Sequence, residues 1–130
     1  MSTNKKVKFK DAINSNKPVL VDFYATWCGP CKALSPIIGE VKKELGSSMR
    51  VIKIDVDQKK NISNKYKVRS LPTLAIFRNG KILWRDSGMK TKAELLNIAN
   101  QFIDNPVSIK RKENDDASKE TSWFGRLFKK

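Results

Sequence analysis

The two cysteines of this chain stand two residues apart in the run Trp27-Cys28-Gly29-Pro30-Cys31-Lys32, directly after the apolar stretch Val19-Leu20-Val21-Asp22-Phe23-Tyr24-Ala25. An apolar stretch of that length around a single carboxylate reads as a strand covered on both faces. The strand delivers both thiols to a turn at its end, where a helix opens. Cysteines this close in sequence do not staple distant parts of a fold; they can close a small disulfide and reopen it. The run reads as a dithiol redox site.

With 130 residues and only these two cysteines, the chain is sized for one domain whose stability comes from burial. Met1 to Lys10 is basic, but no apolar stretch of signal-peptide length follows it and no later run could span a bilayer. The expectation is a cytoplasmic, reducing compartment, where a Cys-x-x-Cys pair is catalytic or metal-binding rather than structural. A structural zinc site needs four ligands. Two cysteines and no histidine reach that number only in a site shared between subunits, so no metal is expected.

The formal net charge is +14, with 20 basic and 8 acidic residues in 1–103 against 7 and 5 in 104–130. The excess lies in the globular part. It favours acidic protein partners or anionic surfaces by an attraction that salt weakens. A diffuse lysine excess without a recognition motif does not point to specific nucleic-acid binding.

Phe9 to Asn14 suggests a short helix stopped near Pro18. Lys32 to Leu45 carries Leu34, Ile37, Ile38, Val41 and Leu45 at helical spacing, with Pro36 inside to kink it and Gly46 to end it. Arg50 to Asp57 alternates as a strand does, and Lys59 to Tyr66 has the spacing of a short helix. Thr73 to Phe77 and Lys81 to Asp86 flank Asn79-Gly80, a strong hairpin signal. Thr91 to Ile103 reads as a helix opened by a Thr91/Glu94 capping box. The order α-β-α-β-α-β-β-α predicts two parallel crossovers and one hairpin, hence an α/β fold with a mixed sheet and helices on both faces. From Asp104 the composition turns charged and small, without a core pattern.

At a helix amino terminus the positive potential and free N–H groups stabilise a thiolate, the species that attacks a disulfide. Cys28 sits at that end. Cys31, one turn inside, is placed to resolve the mixed disulfide that Cys28 would form, and Pro30 suits the first turn because its missing N–H costs little there. Asp22 is costly in an apolar strand unless it is paired, hydrogen-bonded or protonated. A raised pKa would suit a general acid/base for Cys31; the plainer alternative is a carboxylate satisfied by Lys53 on a neighbouring strand.

Taken together, Val21-Asp22-Phe23-Tyr24-Ala25-Thr26-Trp27-Cys28-Gly29-Pro30-Cys31-Lys32, Pro36, Leu71-Pro72-Thr73, Asn79-Gly80 and Gly88 resemble the thioredoxin family over about residues 6–103. The resemblance implies a thioredoxin fold with a four-stranded sheet, or five strands if the amino-terminal strand is present. It also implies reduction of protein disulfides, no bound cofactor, and reducing equivalents from NADPH through a thioredoxin reductase. By the resemblance Cys28 attacks and Cys31 resolves, Asp22 moves the proton of the resolving thiol, and Lys53 tunes Asp22. Trp27, Gly29 and Pro30 form the apolar rim; Pro72 is a cis-proline facing the disulfide. By the same resemblance Leu71 pairs its backbone with an extended substrate segment, Thr73 after Pro72 belongs to the same substrate-binding set, and Gly88 and Met89 close the same groove. Tyr24 and Thr26 depart from the common pattern, where tryptophan and an acidic residue are frequent, without touching the chemistry.

The expected organisation is a domain over 1–104, a charged linker over 105–122 and a tail over 123–130. If helical, the tail puts Trp123, Phe124, Leu127 and Phe128 on one arc and Arg126, Lys129 and Lys130 on the other. Two turns are too few to be stable alone, so a role in weak membrane-surface or protein contact needs a surface to induce it; a silent terminus is the alternative. The expected molecule is a monomeric protein-disulfide reductase. A partner-binding module that uses the groove and the tail, with redox secondary, is the competing class, and an oxidase or isomerase on the same fold is a third.

Overall fold

The computed structural model describes residues 8–109. The amino-terminal strand in question, the tail at 123–130 and all of the linker beyond Ile109 lie outside the described residues.

Among these residues the order is α1 (Phe9–Ile13), β1 (Val19–Tyr24), α2 (Gly29–Leu45), a 3-10 turn (Gly46–Ser48), β2 (Arg50–Asp55), α3 (Lys60–Lys65), β3 (Thr73–Arg78), β4 (Lys81–Ser87) and α4 (Lys92–Asn100). The four strands lie in the order β2-β1-β3-β4. β1 runs parallel to β2 and antiparallel to β3, and β3 and β4 form an antiparallel hairpin with an irregularity at Ile76/Phe77. Only one of the two expected parallel crossovers is therefore present. After α3 the chain returns on the far side of β1 and enters the sheet antiparallel, because Thr73 to Phe77 pair with Phe23 to Val19.

Alternation along β1 divides the core in two. Leu20, with Val51, Leu74 and Ile76, packs beneath Leu34, Ile38, Val41 and Leu45 of α2 and Leu95, Leu96 and Ala99 of α4. Val19, Val21 and Phe23, with Ala75 and Phe77, pack on the opposite face against Ile13 and Phe9 of α1 and Ile62 and Tyr66 at α3. Helices thus cover both faces, as the unbroken burial along β1 and β3 requires. On that second face Phe9, Tyr66 and Phe77 meet edge to face with ring centroids 5.2–5.9 Å apart.

Element ends differ from the periodicity in ways local hydrogen bonds explain. α2 begins at Gly29, three residues before the apolar pattern starts, with Cys28 as its N-cap, and continues through Pro36. β2 stops at Asp55, whose carboxylate accepts the Asp57 N–H at 2.9 Å and whose carbonyl accepts from Gln58 and Lys59. α4 ends at Asn100 because Gln101 and Phe102 donate to carbonyls three residues back. Beyond it Val107 and Ile109 pack against the α2–α4 core, and the Asn100 amide clamps the Val107 backbone, donating at 2.9 Å and accepting at 3.0 Å. No helix among the described residues is long and apolar enough to cross a membrane.

Candidate active site

β1 ends at Tyr24 and the chain turns through Ala25 to Cys28, whose N–H donates to the Ala25 carbonyl at 3.2 Å. That turn sets Cys28 at the amino terminus of α2. Pro30 occupies the first turn, so no donor is wasted there. Cys28 and Cys31 are joined in a disulfide with Cα atoms 5.2 Å apart. Both are buried, and the Cys31 N–H points at the Cys28 sulfur at 3.1 Å. In the reduced protein the same N–H would favour a thiolate at Cys28, adding to the helix-terminus potential.

Around the disulfide runs a groove of about 390 Å³ lined by Trp27, Cys28, Gly29, Pro30, Val56, Val68, Arg69 and Leu71. Trp27 is 68% exposed, far more than a core tryptophan, and its indole N–H donates to the Asp57 carboxylate at 2.7 Å. The Leu71–Pro72 peptide bond is cis. Pro72 is buried, and its carbonyl accepts the Gly88 N–H at 3.0 Å, which straps the loop after β4 to the start of β3. Gly88 has φ +96°, a conformation that favours glycine. Thr73 is buried and its hydroxyl donates to the Ser70 carbonyl at 2.6 Å. Met89 is exposed beside this strap and does not line the groove.

Asp22 is 1% exposed and sits on the α2 side of β1, directly across the parallel ladder from Lys53. Burial pushes its carboxyl up to about 6, with the Lys53 charge pulling in the opposite direction. Lys53 does not close an ion pair with it. Its ammonium donates to the Ser35 hydroxyl at 2.8 Å and lies 4.7 Å from the Tyr24 ring centroid. One carboxylate oxygen of Asp22 has no hydrogen-bond partner among the described residues. An acid so placed holds its proton until near neutrality and then gives it up readily, which is the property of a proton carrier.

Of the residues expected from sequence, Trp27, Cys28, Gly29, Pro30 and Leu71 share one groove, Pro72 and Gly88 are bonded beside it, and Asp22 and Lys53 are ladder partners beneath α2. Sequence reasoning missed Val56, Val68 and Arg69 in the groove wall and Asp57 as the partner of Trp27. Val56 belonged to the expected strand face; nothing local ties Asp57 to a residue thirty positions away. Among the described residues no group of three or more His, Cys, Asp or Glu is placed to hold a metal ion.

The model of the thioredoxin family matches residues 1–101. A thioredoxin of Rickettsia felis is 45% identical over 94 residues, covering 72% of this chain and 90% of the relative. One from Mycobacterium tuberculosis is 43% identical over 95 residues, covering 73% and 82%. Among solved structures, a mutant thioredoxin from Halobacterium salinarum superposes with a TM-score of 0.69 at 31% identity, over 78% of this chain and 88% of that one.

Proposed function

The chain belongs to the thioredoxin family, and from that premise we propose how its residues divide the work of a protein-disulfide reductase. It is a thiol-disulfide oxidoreductase whose Cys28–Cys31 pair cycles between dithiol and disulfide. In the reducing direction the Cys28 thiolate attacks one sulfur of a substrate disulfide, forming a mixed disulfide and releasing the other sulfur as a thiolate that takes up a proton. Cys31 then loses its proton to Asp22 and attacks the Cys28 sulfur. The second substrate thiolate leaves and is protonated in turn. Two electrons have passed to the substrate, and the Cys28–Cys31 disulfide remains.

The observation that carries this order of events is the position of Cys28 as N-cap of α2, with the Cys31 N–H aimed at its sulfur. The raised pKa of Asp22 beneath the same helix supports its part as proton carrier, with Lys53 as a positioning charge. Trp27, Gly29, Pro30, Leu71, Pro72, Thr73, Gly88 and Met89 serve on this reading to hold an extended substrate segment by apolar contact and backbone pairing. No bound cofactor is needed. A thioredoxin reductase restores the dithiol with electrons from NADPH; a relative in Mycobacterium leprae is a bifunctional thioredoxin reductase/thioredoxin, 42% identical over 97 residues.

Cytoplasmic location and a monomeric state belong to the same proposal, as do the charged linker 105–122 and a tail docking through Trp123, Phe124, Leu127 and Phe128. The test is reduction of insulin disulfides with dithiothreitol as terminal reductant. Cys28→Ser should abolish turnover and Cys31→Ser should leave a trapped mixed disulfide. Turnover that survives the double substitution would overturn the proposal in favour of a partner-binding module.

A further inference from the structure

The connection from α3 to β3 supplies Val68, Arg69 and Leu71 to the wall of the disulfide groove, yet residues 66–72 belong to no helix or strand. A segment without a ladder of its own keeps its conformational freedom unless contacts from outside take that freedom away. Lys67 in its first turn holds a φ of +53°, the left-handed region that favours glycine. Backbone bonds from Lys67 to Asn64 and from Val68 to Ser63, at 3.2 and 2.9 Å, tie its start to α3. Further ties come from β4.

Arg85 stands opposite Ala75 and Ser87 opposite Thr73 in the β3–β4 hairpin, so both lie on the sheet face that packs against α1 and α3. The Arg85 guanidinium donates to the carbonyls of both Tyr66 and Lys67, at 2.8 Å for Lys67. Its planar fork suits two adjacent carbonyls that the end of a helix leaves without intrahelical donors. The Ser87 hydroxyl accepts from Ser70 at 3.1 Å and lies 3.2 Å from the Thr73 hydroxyl, and the Gly88 N–H reaches the Pro72 carbonyl. β4 and the loop after it thus hold the connection at its start, middle and end. Arg85 itself does not line the groove.

We propose, resting on the assignment of that groove to an extended substrate segment, that Arg85 is a positioning residue for substrate binding: its two-pronged hold on the end of α3, seconded by Ser87, sets Val68, Arg69 and Leu71 against the disulfide before a substrate arrives. A wall ordered in advance spares an extended substrate the cost of ordering it. The hold therefore acts on binding and not on thiol exchange. A small disulfide that reaches only Cys28 gains nothing from it.

The test is single-turnover oxidation of the pre-reduced full chain, by insulin and by the uncharged hydroxyethyl disulfide. Arg85→Met keeps an apolar stem and removes the donors. It should raise the half-saturating insulin concentration on the order of fivefold at an unchanged limiting rate, and leave the hydroxyethyl disulfide rate unaltered. Lys81→Met removes the same charge at the far end of β4 and should change neither. By NMR, the Val68 amide should exchange on the order of tenfold faster in Arg85→Met, while the Leu74 and Ile76 amides of β3 keep their rates and show the sheet intact. An unchanged insulin dependence, an equal loss with the small disulfide or with Lys81→Met, or a Val68 amide that exchanges as in the unaltered chain would overturn the proposal. No oxidation of the unaltered chain by either disulfide would instead overturn the reductase reading, while Val68 exchange still reports whether Arg85 holds the segment.

Discussion

A carboxyl that titrates at about 6 in the fold and at 3.8 outside it makes stability depend on pH through one side chain, Asp22. Because the folded pKa is raised, the folded state holds the proton more tightly. The resulting contribution is fully present below about pH 4, falls as pH rises, and is gone above about pH 6. Asp22→Asn removes the buried charge and should stabilise the oxidised protein at pH 7 by on the order of 2 kcal/mol, with little change at pH 4, as urea denaturation at the two pH values will measure. Equal effects at both would contradict the assignment. On the proposed role the same variant should resolve the mixed disulfide more slowly and lose the pH dependence near 6 in single-turnover reduction. Asp22 was legible in sequence because a lone carboxylate in an apolar strand demands an explanation. Its lack of an ion pair was not legible, since Lys53 has to choose among Asp22, Ser35 and Tyr24 in three dimensions.

The elements divide in the same way into those specified locally and those specified by pairing. The α4 capping box has both partners within four residues, and it forms as read: Thr91 accepts from the Glu94 N–H at 3.1 Å and Glu94 from the Thr91 N–H at 2.7 Å. Thr91→Ala should cost about 1 kcal/mol, seen as a lower urea midpoint at unchanged slope. The Asn79-Gly80 turn was equally legible, with φ of +52° and +78° as a hairpin turn of this type needs. What sequence did not announce is that the turn also docks on α1, Asn79 and Gly80 donating to the Ser15 and Ile13 carbonyls at 2.8 and 2.9 Å. Gly80→Ala forces a side chain into the left-handed region and should cost on the order of 1 kcal/mol by the same assay. The direction of β3 was misread because nothing near Thr73 encodes it; the choice rests on pairing with β1, some fifty residues earlier.

At the scale of the whole molecule, the +14 charge acts beyond any single contact. Reduction of an acidic protein substrate should slow several-fold as ionic strength rises from about 0.01 M to about 0.5 M, whereas a small neutral disulfide should be nearly insensitive, because the Debye length shrinks from ~30 Å to a few ångströms. A flat profile for the protein substrate would remove charge from the account of partner choice. The reduction potential of the Cys28–Cys31 pair decides the direction in which the disulfide works, and equilibration with dithiothreitol or glutathione buffers, followed by quantification of the two forms, measures it. A cytoplasmic reductant should give a value at or below about −250 mV, close to the roughly −270 mV typical of thioredoxins as a family. A value of about −120 to −180 mV, the range of disulfide-forming and isomerising relatives of this chemistry, would contradict it.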